Sequence, residues 1–163
     1  MNRRDNIMNH IAKSIAISAA TACLALSTPA SAQLKPWTDY TPQKTVVELT
    51  YVKVDEGQLG FYLEGLKATW VKANEVAKKM GQISDYGIYV VPYGDNDVNL
   101  VLRINYPNMA ELDPDKAKYD KFMAAWGESN MESSNKTVRE LYNNIRKIQG
   151  THILREIKIN ADK

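Results

Sequence analysis

The chain predicts an α+β fold: a four-stranded antiparallel sheet with helices packed on one of its faces. Three observations carry that expectation. Strand-like alternation occurs at residues 46–54, 83–93, 98–106 and 151–159. Two long helical patterns separate the first run from the second and the third from the fourth. Glycine and Asx residues mark the junctions. The order strand, helix, strand, strand, helix, strand is a split βαβ plan, in which the first and third strands are central.

Residues 1–32 read as an export signal rather than as part of that fold. Arg3, Arg4 and Lys13 form a basic start, and Ala30 and Ala32 hold the small-residue positions before cleavage at Gln33. Between them "SIAISAATACLAL" (14–26) is apolar but too short for a bilayer, which needs roughly 20 apolar residues. Cys23 lies inside this segment without a lipoprotein-type leucine box. With the signal go three of the 21 basic residues, one of the 19 acidic residues and the single cysteine, leaving a chain of net charge zero. Without clustered Lys and Arg there is no electrostatic footprint for nucleic acid. Without cysteine there are neither disulfides nor thiolate metal sites. The expected location is the periplasm or the exterior, with no membrane span after cleavage.

Residues 33–45, "QLKPWTDYTPQKT", carry two prolines and no apolar period, which predicts an extended arm ahead of a single domain at 46–163. In "VVELTYVKV" (46–54) the apolar Val47, Leu49 and Tyr51 are assigned to the core, which leaves Glu48 and Thr50 on the other face. From Gly57 to Met80, Leu59, Leu63, Leu66, Trp70, Ala73, Ala77 and Met80 form one helical stripe, closed by Gly81. The strands at 83–93 and 98–106 form a hairpin about "GDND" (94–97). Its Asx residues suit a turn and lack the later ligands of a calcium loop. Asp113 then reads as a helix N-cap with Pro114 at the first helical position. Tyr119, Phe122, Met123 and Trp126 share a face up to Gly127. "ESNMESSN" (128–135) reads as a polar loop, and a further helix from about Lys136 carries Val138, Leu141, Tyr142, Ile145 and Ile148 to a stop at Gly150. The last strand is 151–159.

The segments "VELTYVKVDEGQLGFYLE", "ISDYGIYVVPYGDNDVNLVLRINYPNMAELD" and "IRKIQGTHILREI" resemble a group of secreted bacterial proteins without assigned activity, in the dimeric α/β-barrel, ferredoxin-like superfamily. The resemblance spans about 46–159. It implies a ferredoxin-like fold and a homodimer whose two sheets face each other. Relatives in the superfamily include monooxygenases acting on aromatic compounds, haem-degrading enzymes, haem-dependent peroxidases and ligand-binding proteins.

The strand period in "VNLVLRINY" (98–106) sends Leu100, Leu102, Ile104 and Tyr106 toward the helices. It sends Asn99, Val101, Arg103 and Asn105 toward the dimer side. Tyr89 on the second strand and His152 and Glu156 on the fourth are assigned to that side too, and Glu48 and Arg103 become cross-strand neighbours. The candidate ligand set is therefore Glu48, Tyr89, Arg103, Asn105 and His152. In a cavity between the sheets, Arg103 would hold an anionic group and Tyr89 would stack or hydrogen-bond. The alternative is an interface in which Glu48 and Arg103 merely neutralise each other. No catalytic residue, metal site or cofactor is assigned. His152 is the sole histidine after the signal, "GQLGF" lacks phosphate-loop spacing, and the helix-borne Asn/Trp/His set of haem-degrading relatives has no histidine here. The expectation is an exported homodimer that binds a small apolar or aromatic ligand between its sheets. A cofactor-free monooxygenase- or isomerase-type enzyme and a structural or partner-binding envelope protein are the alternatives.

Overall fold

The computed structural model describes residues 33–94 and 97–161. The export-signal expectation, and Asp95 and Asn96 of the hairpin turn, lie outside the described residues. The sheet has the order β2-β3-β1-β4 with every neighbouring pair antiparallel. This is the ferredoxin-like arrangement, with β1 and β3 central.

Strand β1 runs Tyr40–Val54, so half of the expected arm is strand. The prolines hid it. Tyr40 to Pro42 pair only with β4, beyond the reach of β3, and a register shift separates Pro42 from Val46. At such an edge the missing proline N–H leaves no ladder bond broken.

Helix α1 (Leu59–Leu66) continues through a π-helical turn at Lys67–Val71 into α2 (Lys72–Lys79). The buried line is Tyr62, Leu66, Thr69 and Asn74, with Leu59, Leu63 and Trp70 packed beside it. Its last step is five residues rather than three or four, because a π turn holds more residues than an α turn. A stripe drawn at constant period drifts off the true face there. Gly81, at φ 74°, accepts the left-handed backbone that ends the helix.

Strands β2 (Asp85–Val90) and β3 (Leu100–Tyr106) form the expected hairpin, and Asn108 then caps a short 3-10 turn at Met109–Leu112. Helix α3 is Lys116–Trp126, and its cap is Asp115 rather than Asp113. Both aspartates are extended, but it is Asp115 that accepts the Lys118 backbone N–H at 3.0 Å. At Gly127 the backbone reaches φ 84°, ψ 148°, a region essentially reserved for glycine. Helix α4 (Glu128–Thr137) starts directly after it, so "ESNMESSN" is helical and not a loop. Glu128, Asn130, Glu132, Ser133, Asn135 and Lys136 are exposed, while Met131 and Ser134 turn inward one helical turn apart. A second π turn (Val138–Tyr142) and α5 (Asn143–Ile145) follow.

Strand β4 is Arg146–Ile159, which takes Ile148 and Gly150 from the expected helix. The chain passes from helix to strand without a glycine, because Arg146 is already extended (φ −143°, ψ 157°) and pairs with Val54. Gly150 sits beside a register shift in the β1–β4 ladder.

Val52, Val54, Tyr62, Leu66, Leu100, Leu102, Tyr142 and Ile145 form the core between sheet and helices. Residues paired across an antiparallel ladder share a face, and Thr50 pairs with Leu102 while Leu49 pairs with Arg103. Glu48 and Thr50 therefore face the helices, and Val47, Leu49 and Tyr51 lie on the open face, opposite to the sequence assignment. Both faces of β1 are rich in apolar residues, so alternation alone does not choose between them. The inward polar groups are satisfied locally: Tyr106 donates to Glu48 Oε2 at 3.1 Å, and the Thr50 and Thr151 hydroxyls lie 3.2 Å apart.

Candidate functional site

The open sheet face carries four of the five expected residues, Tyr89, Arg103, Asn105 and His152, and excludes Glu48. Arg103 is not paired with Glu48. Its Nη2 donates to Asp85 Oδ2 at 2.6 Å, and Lys78 reaches the other oxygen at 3.1 Å. Hydrogen bonds from Lys78 and then Arg103 hold the Asp85 carboxyl below its ordinary value. The Arg103 guanidinium also lies over the Tyr89 ring, 5.5 Å from its centroid. Gly87 makes this possible, since a Cβ there would stand 3.1 Å from Tyr89 Cε2 and 3.4 Å from Arg103 Nη2. Arg103 Nε and Asn105 Oδ1 are buried without a hydrogen-bond partner.

His152 does not join this group. The strand order places β1 between it and β3, and its ring meets Tyr51 edge-on at 5.5 Å. The face thus divides into a polar cluster on β2 and β3 and a largely apolar strip of Val47, Leu49, Tyr51 and Leu154 on β1 and β4.

On the other side of the sheet lies a cleft that the sequence reading did not find. It encloses about 420 Å³ between α1, α2, the α3–α4 layer and the sheet. Its walls are mainly apolar, including Leu66, Trp70, Leu102, Phe122, Trp126 and Met131. The two π turns face each other across it. Thr69 Oγ1 lies 2.7 Å from the Tyr142 hydroxyl and within 2.9 Å of the Gly65 carbonyl. Tyr142 reaches that position because position 65 is glycine: a Cβ there would stand 2.7 Å from Tyr142 Cε1.

One charged side chain lines the cleft. Arg146, at the first position of β4, faces inward with its pairing partner Val54. Its guanidinium carbon lies 5.6 Å from the Tyr62 ring centre and 5.1 Å from that of Tyr142, two rings set edge-to-face at 5.0 Å. Burial pushes the Tyr62 phenol up to about 12, against a downward pull from Arg146, and burial raises Tyr142 as well. Both phenols stay neutral across the physiological range, and because Thr69 donates to the Gly65 carbonyl, the Tyr142 hydroxyl donates to Thr69. Aromatic residues on helix faces were the available signal for this cleft. Arg146 could not be singled out while the helix was taken to run through it.

Among the described residues no group of three or more His, Cys, Asp or Glu is placed to hold a metal ion. No helix among them is long and apolar enough to cross a membrane.

No family model matches the chain, and no curated protein does. Among solved structures, a candidate chlorite dismutase is 12% identical with a TM-score of 0.37, over 71% of this chain and 44% of that one. The chain thus spans less than half the length of that protein. A dimeric ferredoxin-like protein of unknown function from Bacteroides fragilis is 11% identical with a TM-score of 0.37, over 71% of this chain and 98% of that one. A dimeric ferredoxin-like protein from an uncultured marine organism is 12% identical with a TM-score of 0.39, over 73% and 90%. Likenesses this distant transfer no activity, and the ferredoxin-like fold is read from the strand order and register described above.

Proposed function

We propose that the protein is an exported homodimer that binds a small apolar or aromatic molecule in the cleft between its sheet and its helices. The observation that carries the reading is the cleft itself: an aromatic-walled space with a few convergent polar groups, the usual composition of a small-molecule site. Export rests on the character of residues 1–32. Dimerisation is supported by the open sheet face, where Leu154 and Tyr89 are exposed. A second copy laid against that face would cover them.

The test is titration with N-phenyl-1-naphthylamine, a neutral fluorophore that brightens in apolar sites. A saturable rise with one probe per chain is expected. Ala73 lines the cleft, and Ala73→Phe fills it, so affinity should fall at least about tenfold, the size of effect that about 1.4 kcal/mol produces. The reading is overturned by the absence of saturable binding, or by undiminished binding in a folded Ala73→Phe protein.

A further inference from the structure

We infer that the molecule taken by this cleft is an organic monoanion, an apolar body ending in one carboxylate, and that Arg146 is the group that holds the acid. The inference rests on the binding role proposed for the cleft and adds the ligand's charge. Arg103 and Arg146 are the two arginines on the sheet with a buried, unpartnered Nε, and they differ in one respect. Arg103 has Asp85 as counter-ion, whereas Arg146 belongs to no ion pair among the described residues. Its contacts are the faces of Tyr62 and Tyr142.

That kind of contact matters for what Arg146 can still do. Aromatic rings attract a guanidinium through their electron-rich faces and offer it no oxygen acceptor, so these contacts place Arg146 without supplying a counter-ion. A guanidinium on an apolar cleft without a counter-ion is complemented by a carboxylate, whose two oxygens match its fork. The backbone of Arg146 is pinned by pairing with Val54, so the side chain starts from a fixed point. The remaining polar lining is neutral: Thr50, Ser134 and the Thr69 and Tyr142 hydroxyls, whose protons go to the Gly65 carbonyl and to Thr69. One cation compensates a single negative charge. A dianion such as a phosphate monoester would be left half uncompensated in mainly apolar walls. The body of the ligand would then lie along Trp70, Leu102 and Trp126.

Calorimetric titration of the full protein with 2-naphthoate and with 2-naphthamide tests this, since the two have the same shape and differ in charge. Naphthoate should bind at least tenfold more tightly at neutral pH, and Arg146→Met should erase that preference. Equal binding of acid and amide to the wild type overturns the role of charge and leaves the cleft as a neutral apolar site. Binding of N-phenyl-1-naphthylamine without either naphthyl compound overturns it too. Failure of all three probes overturns the cleft reading itself. Should Arg146→Met not fold, the wild-type comparison of acid with amide decides alone.

Discussion

Arg103 and Arg146 show how a single residue's surroundings decide what its charge can do. Arg103 stands in a polar cluster with Asp85, Lys78 and Tyr89. The consequence for pH follows from Asp85, whose carboxyl is lowered in the folded chain relative to its ordinary 3.8. Its contribution to stability is complete above that ordinary value and is lost as pH falls through the lowered folded value. Asp85→Asn should therefore lower stability at pH 7 and approach the wild type as pH falls through the lowered value, flattening the acid limb of a profile measured by urea unfolding. Gly65 provides a second test at this scale. Gly65→Ala places a methyl 2.7 Å from a buried tyrosine ring, so it should destabilise by about 1–3 kcal/mol, against the helix propensity that favours alanine. The outward position of Arg103 was legible, because β3 alternates cleanly. Its partner was not, because Glu48 was assigned to the wrong face of β1 and Asp85, inside the expected strand 83–93, was given no role.

At the scale of elements, two of the sequence signals that failed share one cause: polar composition at 128–135 and proline at 40–45 were read as irregular chain. The segment 128–135 is helical, and polar side chains along α4 bond to backbone carbonyls one turn earlier. Asn130 Nδ2 donates to the Trp126 carbonyl at 2.6 Å and Thr137 Oγ1 to that of Ser133 at 3.1 Å. At exposed Ser133, alanine and glycine variants should differ by about 1 kcal/mol in unfolding free energy if α4 is helical. A difference of only a few tenths would mark a loop. Gly127, by contrast, was legible as a breaker, and Gly127→Ala should cost about 1–3 kcal/mol for its special backbone. The π turns could not be read from periodicity, since a constant period is what they interrupt. They bring Thr69 and Tyr142 together, so the least legible elements are those that shape the cleft.

For the whole molecule, the strand count, the order of elements and the central place of β3 followed from periodicity alone. The sheet's two faces did not, because β1 and β4 carry apolar groups on both. That ambiguity has a physical meaning: one face packs on the helices and the other, in the proposed dimer, on a second sheet. Val101 lies on the open face opposite Tyr51, so Val101→Glu should convert a sedimenting dimer into a folded monomer. A wild-type monomer would contradict the proposed assembly. Ligand binding in the cleft can be read from the three tryptophans. Trp70 and Trp126 line it, whereas Trp37 is 72% exposed. In protein labelled with 5-fluorotryptophan, saturation with 2-naphthoate should move the fluorine resonances of Trp70 and Trp126 and leave that of Trp37 in place. Resonances of Trp70 and Trp126 unmoved by a bound ligand would contradict the account.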